Sequence, residues 1–107
     1  KIPTIGFPRG VSLNSYKKYS HLEGLSCISL DQNFNLKNIT ELNDKIAFQG
    51  NLNPETLISN KGRIVSEVKD ILLAFKDYPH IFNLGHGVLP TTPVENVGVM
   101  IDTIRKG

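Results

Sequence analysis

Four short apolar runs, separated by longer amphipathic stretches, constrain this chain more than any other feature. They occupy residues 2–7, 24–30, 45–49 and 80–84. Runs this short suit parallel strands covered on both faces. Pro3 is tolerated near the start of the first, because a strand's first residues can forgo an N–H. Cys27, flanked by Leu25, Ile28 and Leu30, fits a buried strand, where a free thiol is common.

The intervening segments carry helical patterns. Leu13, Tyr16, Tyr19 and Leu22 recur at steps of three, and Leu36, Ile39 and Leu42 do so over a shorter stretch. The clearest helix is expected over about 62–76, where Ile64, Val68, Ile71, Leu72 and Phe75 share one face. Glu67, Lys69, Asp70 and Lys76 lie off that stripe, and Pro79 prevents continuation. Thr92-Pro93-Val94-Glu95 reads as a capping box: Thr92 caps, Pro93 takes the first helical position and Glu95 reaches back. Val94, Val97, Ile101 and Ile104 would then form the buried stripe of the last helix. Asn53-Pro54-Glu55 is a shorter helix entry with Asn53 as cap.

The sum is an α/β domain over residues 1–107 with about four βα units, expected to form a parallel sheet with right-handed crossovers. Four units are half of a (β/α)8 barrel. A small open α/β sheet satisfies the same periodicity. A hydrophobic fraction of 39% permits a packed core. A net charge of +2 with scattered lysines argues against nucleic acid, which calls for a clustered basic stripe. No apolar run approaches the roughly 20 residues of a membrane span. One cysteine makes neither an internal disulfide nor a zinc site, and an unpaired thiol fits a reducing, cytoplasmic setting. The chain begins Lys1-Ile2-Pro3 and its one methionine is Met100, so we expect a truncation, a processed product or part of a larger protein.

In either α/β arrangement ligands gather at the C-terminal ends of the strands. Four groups of residues follow the runs and should share one rim: Pro8-Arg9-Gly10, Asp31-Gln32-Asn33, Gly50-Asn51-Leu52-Asn53-Pro54 and Gly85-His86-Gly87. His86 is the sharpest candidate. Glycines on both sides permit positive φ and close backbone approach to a ligand. Its imidazole can donate a proton or bind a carboxylate near neutral pH. The alternative is a surface histidine on a turn. Arg9 would bind an anion in fork geometry, or be solvated. Asp31 either orients a neighbouring loop or ligand, or caps the turn that follows it. Asn51 is expected to hold the third loop through backbone hydrogen bonds. His21 and His80 lack such a setting and read as structural. There is no dinucleotide fingerprint, P-loop, nucleophile elbow or metal-ligand spacing.

The motifs themselves carry a resemblance. Phe82-Asn83-Leu84-Gly85-His86-Gly87-Val88-Leu89-Pro90, followed by Thr92-Pro93-Val94-Glu95-Asn96-Val97, resembles the closing signature of uroporphyrinogen decarboxylases. Phe48-Gln49-Gly50-Asn51-Leu52-Asn53-Pro54 is similar to their Gln-Gly-Asn-Leu-Asp-Pro segment. Ile28-Ser29-Leu30-Asp31 and Lys1-Ile2-Pro3-Thr4-Ile5-Gly6-Phe7 resemble two earlier strands, in family order.

The resemblance implies an eightfold β/α barrel of which this chain supplies the last four units. It implies uroporphyrinogen as substrate, loss of four acetate carboxylates as carbon dioxide, and no metal or organic cofactor. It places His86 in the cleft as a substrate-contacting, proton-placing residue; by glycine's own conformational freedom, Gly85 and Gly87 are expected to position its loop. The family's arginines, pyrrole-binding aspartate and cleft tyrosine would precede Lys1. Two departures stand out: Asn53 where aspartate is usual, and Gln32 where an aromatic is common.

Two alternatives belong beside this. A related zinc-dependent corrinoid methyltransferase barrel would need a cysteine in the closing Gly-x-Gly, where this chain has His86. A non-catalytic half-barrel would associate through its unpaired strand edges. On either half-barrel reading the isolated chain should be inactive, and should form a homodimer, self-associate or require an N-terminal half.

Overall fold

The computed structural model describes residues 3–8 and 10–107. Ile2, at the start of the first apolar run, and Arg9, the expected anion binder, lie outside the described residues.

Each apolar run forms a strand: β1 (Ile5–Gly6), β2 (Cys27–Ser29), β3 (Ala47–Gln49) and β4 (His80–Ile81). All are parallel and lie in the order β1-β2-β3-β4. A doubly wound sheet reverses its strand order at a switch point. This one runs in sequence order without reversal, as an arc of a (β/α)8 barrel does. The ladder is shorter than the apolar runs, but backbone pairing continues past it. Leu30 N donates to Gln49 O (2.7 Å), Gly50 N donates to Ile81 O (3.1 Å), and Leu52 bridges Leu84.

The helical patterns resolve into three α-helices and two 3-10 turns among the described residues. α1 (Leu13–Ser20) is capped by Ser12, whose side chain accepts from Ser15 N. Leu22 lies beyond its end and is exposed, so the stripe of threes is shorter than the sequence suggests. Leu36, Ile39 and Leu42 belong to a 3-10 helix (Leu36–Glu41) and its C-cap. A three-residue repeat is the period of that helix. Asn53 caps a second 3-10 helix (Pro54–Ile58), accepting from Glu55 N. α2 (Lys61–Ala74) is capped by Asn60 and buries Ile64, Val68 and Ile71. Phe75, at its C-cap, is also buried.

α3 (Val94–Lys106) corrects the sequence reading twice. The expected capping box does not form. Pro93 itself occupies the cap position with extended backbone and makes no side-chain cap bond, which leaves Thr92 one residue too early. The Thr92 hydroxyl oxygen is buried without a partner among the described residues. The buried stripe is also rotated. Val94 is 86% exposed and Ile101 is exposed, whereas Val97, Met100, Thr103 and Ile104 face inward. Asn96 supplies the physical reason. Its Nδ2 donates to Leu57 O (2.7 Å), which turns positions 96, 100 and 103 towards the core.

Side chains alternate across a sheet. The register aligns Gly6 with Ile28, Ile28 with Phe48 and Phe48 with His80. This row meets the helices: Phe48 lies 5.8 Å from Phe75 and 5.5 Å from Tyr78, centroid to centroid. His80 stacks on Phe75 at 4.1 Å. The opposite row aligns Ile5, Cys27 and Ala47, then Ser29, Gln49 and Ile81. Among the described residues no helix covers that face, and Ile5, Phe7 and Ile81 are exposed.

Candidate functional site

Parallel strands place all their C-terminal ends at one edge of the sheet, and side-chain bonds tie the loops there together. Asp31, just past β2, is buried. Its Oδ2 accepts from Gly10 N (2.6 Å) in the loop after β1, and its Oδ1 accepts from Asn33 N (3.1 Å). It therefore makes both the bond to a neighbouring loop and the bond to its own turn. Its backbone N–H donates to the Tyr16 hydroxyl (3.2 Å), and Tyr16 packs edge-on against Phe34. Burial raises the Tyr16 pKa, so the phenol keeps its proton through the physiological range.

Asn51, past β3, is buried and donates from Nδ2 to Asp31 O (3.0 Å) and Phe34 O (3.1 Å). It joins the third loop to the second. The Gly50–Asn51 peptide is cis, and Gly50 has φ 122°, a conformation open to glycine. The fourth loop joins through Gly85, whose N–H donates to Leu52 O (2.8 Å).

Gly85 and Gly87 do not have the positive φ that their type permits. Gly85 is needed for another reason. A Cβ there would collide with the backbone of Gln32, so the second and fourth loops touch main chain to main chain. Gly87 has open space around it. Gly85 therefore lets two loops close on each other, and the expected close approach to a ligand is not needed to explain it.

His86 projects from this junction between two cavities. One, of about 410 Å³, lies on the helix-free side of the sheet and is lined by Phe7, Ser29, Gln49, Asn83, Leu84 and His86, with the flanking glycines. The other, of about 320 Å³, includes Gln32, Asn53, Glu55 and Leu89. The His86 imidazole is half-buried and has no hydrogen-bond partner among the described residues. It is free to bind a ligand. His80 contrasts with it: its Nε2 meets Gly50 O at 2.6 Å, and burial lowers its pKa. His21 bonds Lys17 O at the end of α1.

Ser29, Gln49 and Asn83 escaped the sequence reading because it looked only past the strand ends. Alternation carried the signal. Gln49 follows Phe48 and Ser29 follows Ile28, so each polar residue points away from the helices. Among the described residues no three His, Cys, Asp or Glu side chains lie close enough to share a metal ion. No helix among them is long and apolar enough to cross a membrane.

Comparison with known proteins follows the same lines. The family model described as uroporphyrinogen decarboxylase matches residues 1–107. A uroporphyrinogen decarboxylase of Wolbachia sp. subsp. Brugia malayi is 46% identical over 103 residues, covering 96% of this chain and 29% of that protein. One from Rickettsia africae is 42% identical over 105 residues, covering 98% of this chain and 30% of the relative. One from Rickettsia canadensis is 39% identical, with 98% and 31% covered. This chain thus spans about three-tenths of the length of the curated relatives it matches. By its family match, its parallel βα units and its closing Gly-His-Gly loop, the chain belongs to the uroporphyrinogen decarboxylase family.

Proposed function

We propose that residues 1–107 are the C-terminal half-barrel of a cytoplasmic uroporphyrinogen decarboxylase, which converts the four acetate side chains of uroporphyrinogen III to methyls and gives coproporphyrinogen III. The observation that carries the reading is His86, which lines the helix-free cavity and has no hydrogen-bond partner among the described residues. Each decarboxylation needs an electron sink. A protonated pyrrole ring serves: the bond to the carboxylate breaks, carbon dioxide leaves, and the electron pair flows into the ring. A proton then adds to the exocyclic carbon to form the methyl group, and the ring gives up the proton it gained, which restores the neutral pyrrole. The protein's tasks are to hold the polycarboxylate, favour the cationic ring and deliver the proton. The pyrrole is its own electron sink, so no cofactor is required.

In this reading His86 contacts substrate and places the proton, while Arg9 pairs with a substrate carboxylate. Asp31, Asn51, Gly85 and Gly87 hold the loops around them. The family's remaining cleft groups lie outside this chain. The isolated chain is therefore inactive, and its partner is an N-terminal half-barrel within a homodimeric enzyme.

The test is His86→Ala in the full-length protein, assayed anaerobically with uroporphyrinogen. Turnover should fall on the order of 10²-fold, the usual contribution of a positioned proton donor, with the melting transition unchanged. Wild-type turnover in that variant would remove His86 from the mechanism.

A further inference from the structure

Beyond His86, the helix-free cavity has a hydrogen-bonding character that fixes what it takes. Gln49 Nε2 donates to Ser29 Oγ (3.4 Å), so the Ser29 hydroxyl proton is left to point elsewhere. Asn83 Oδ1 accepts from Leu84 N (2.8 Å), so the Asn83 NH₂ group is the part left without a partner among the described residues. His86 adds a ring N–H. Internal bonds use one Gln49 N–H, one Ser29 lone pair and one Asn83 lone pair, which leaves a donor on each of the three residues beside the Gln49 Oε1 acceptor. No Asp or Glu lines this cavity among the described residues, and Phe7 and Leu84 supply apolar walls.

From this juxtaposition we propose that Ser29, Gln49 and Asn83 form a neutral subsite for one carboxylate of the substrate, next to His86. The proposal deepens the function argued above and rests on it. Neutral donors bind a carboxylate without fixing a cation beside the ring, where a full positive charge would oppose pyrrole protonation. The subsite therefore holds the substrate without disfavouring the cation that the reaction needs. The three residues are specificity-determining: they read an acceptor-rich group set against a flat apolar one.

Asn83→Asp is the decisive variant. It keeps the oxygen that accepts from Leu84 N and replaces the free NH₂ with a second oxygen, and Asn83 is exposed, so folding is spared. Gln49→Glu repeats the change from a second strand. Both would be made in the full-length protein, with circular dichroism to check folding. Two readouts are used: fluorescence titration with uroporphyrin, which binds without reacting, and steady-state turnover of uroporphyrinogen. Both variants should bind uroporphyrin about tenfold or more weakly, because like charges repel in a partly enclosed site. KM should rise by a similar factor, with kcat changed much less. Affinity within about twofold of wild type in a folded Asn83→Asp protein would overturn the subsite. Wild-type protein that binds uroporphyrin but does not convert uroporphyrinogen would overturn the decarboxylase reading, and the binding ratio alone would then decide the subsite. Wild-type protein that does neither would overturn both.

Discussion

Two histidines, six residues apart, show how neighbourhood decides role. His86 stands between two cavities with its ring free among the described residues, whereas His80 is held by the Phe75 stack and the Gly50 carbonyl. The sequence separated them by a simple signal: one follows a strand between glycines and the other opens a strand. Burial depresses the His80 pKa, and the bond to Gly50 opposes this only in part. The unfolded chain then binds more protons than the folded one between the lowered value and the ordinary imidazole value of about 6.5. Stability from this group is complete above that ordinary value and is lost as pH falls through the folded one. In the full-length protein, urea denaturation should show wild type weakening below neutrality more steeply than His80→Gln. Identical acid slopes would mean that His80 is not the group responsible.

At the scale of elements, what was legible depended on whether local pattern or tertiary contact set the outcome. α2 was readable because five apolar residues at helical spacing fix both its existence and its buried face. Asn53 was readable because a cap acts within two residues of itself. α3 was misread because its rotation is set from outside: Asn96 is tied to Leu57, 39 positions away, and no periodicity records that. Cavity polarity was missed for a related reason, since Ser29, Gln49 and Asn83 meet only when three strands are aligned. The failed capping box makes a sharp prediction. Were Thr92 a cap, Thr92→Val would cost about 1 kcal/mol. Its hydroxyl oxygen instead lies buried and unpaired among the described residues, so the isosteric valine removes an unmet desolvation cost. Denaturation midpoints should show Thr92→Val equal to wild type or more stable by up to about 1 kcal/mol. A loss of that size would restore the capping box.

At the scale of the whole molecule, helices cover only one face of the sheet among the described residues, and on the other face Cys27 and Ser29 in the middle are buried while the flanking apolar residues are open. Phe48, Ile28 and Leu30 are buried towards the helices, while Ile5, Phe7 and Ile81 are 53%, 44% and 48% exposed on the other side. In a closed barrel both faces are packed, because inward side chains fill the interior. Each of these three residues gains up to about 1.5–3 kcal/mol on full burial, and half of that surface is still open to water. β1 and β4 also end the described ladder, each offering unpaired N–H and C=O groups along one side. Apolar face and open edges favour the same outcome: the isolated 107-residue chain should self-associate, and on the half-barrel reading proposed above an N-terminal half should suppress this by occupying the face. Multi-angle light scattering across a concentration series measures it directly. The isolated chain should show a mass that grows with concentration, and Ile5→Thr with Ile81→Thr should lower that mass while keeping strand-compatible side chains. A stable monomer at every concentration would show that three exposed apolar side chains and two free edges are too little to drive association, and the face would then need no covering partner.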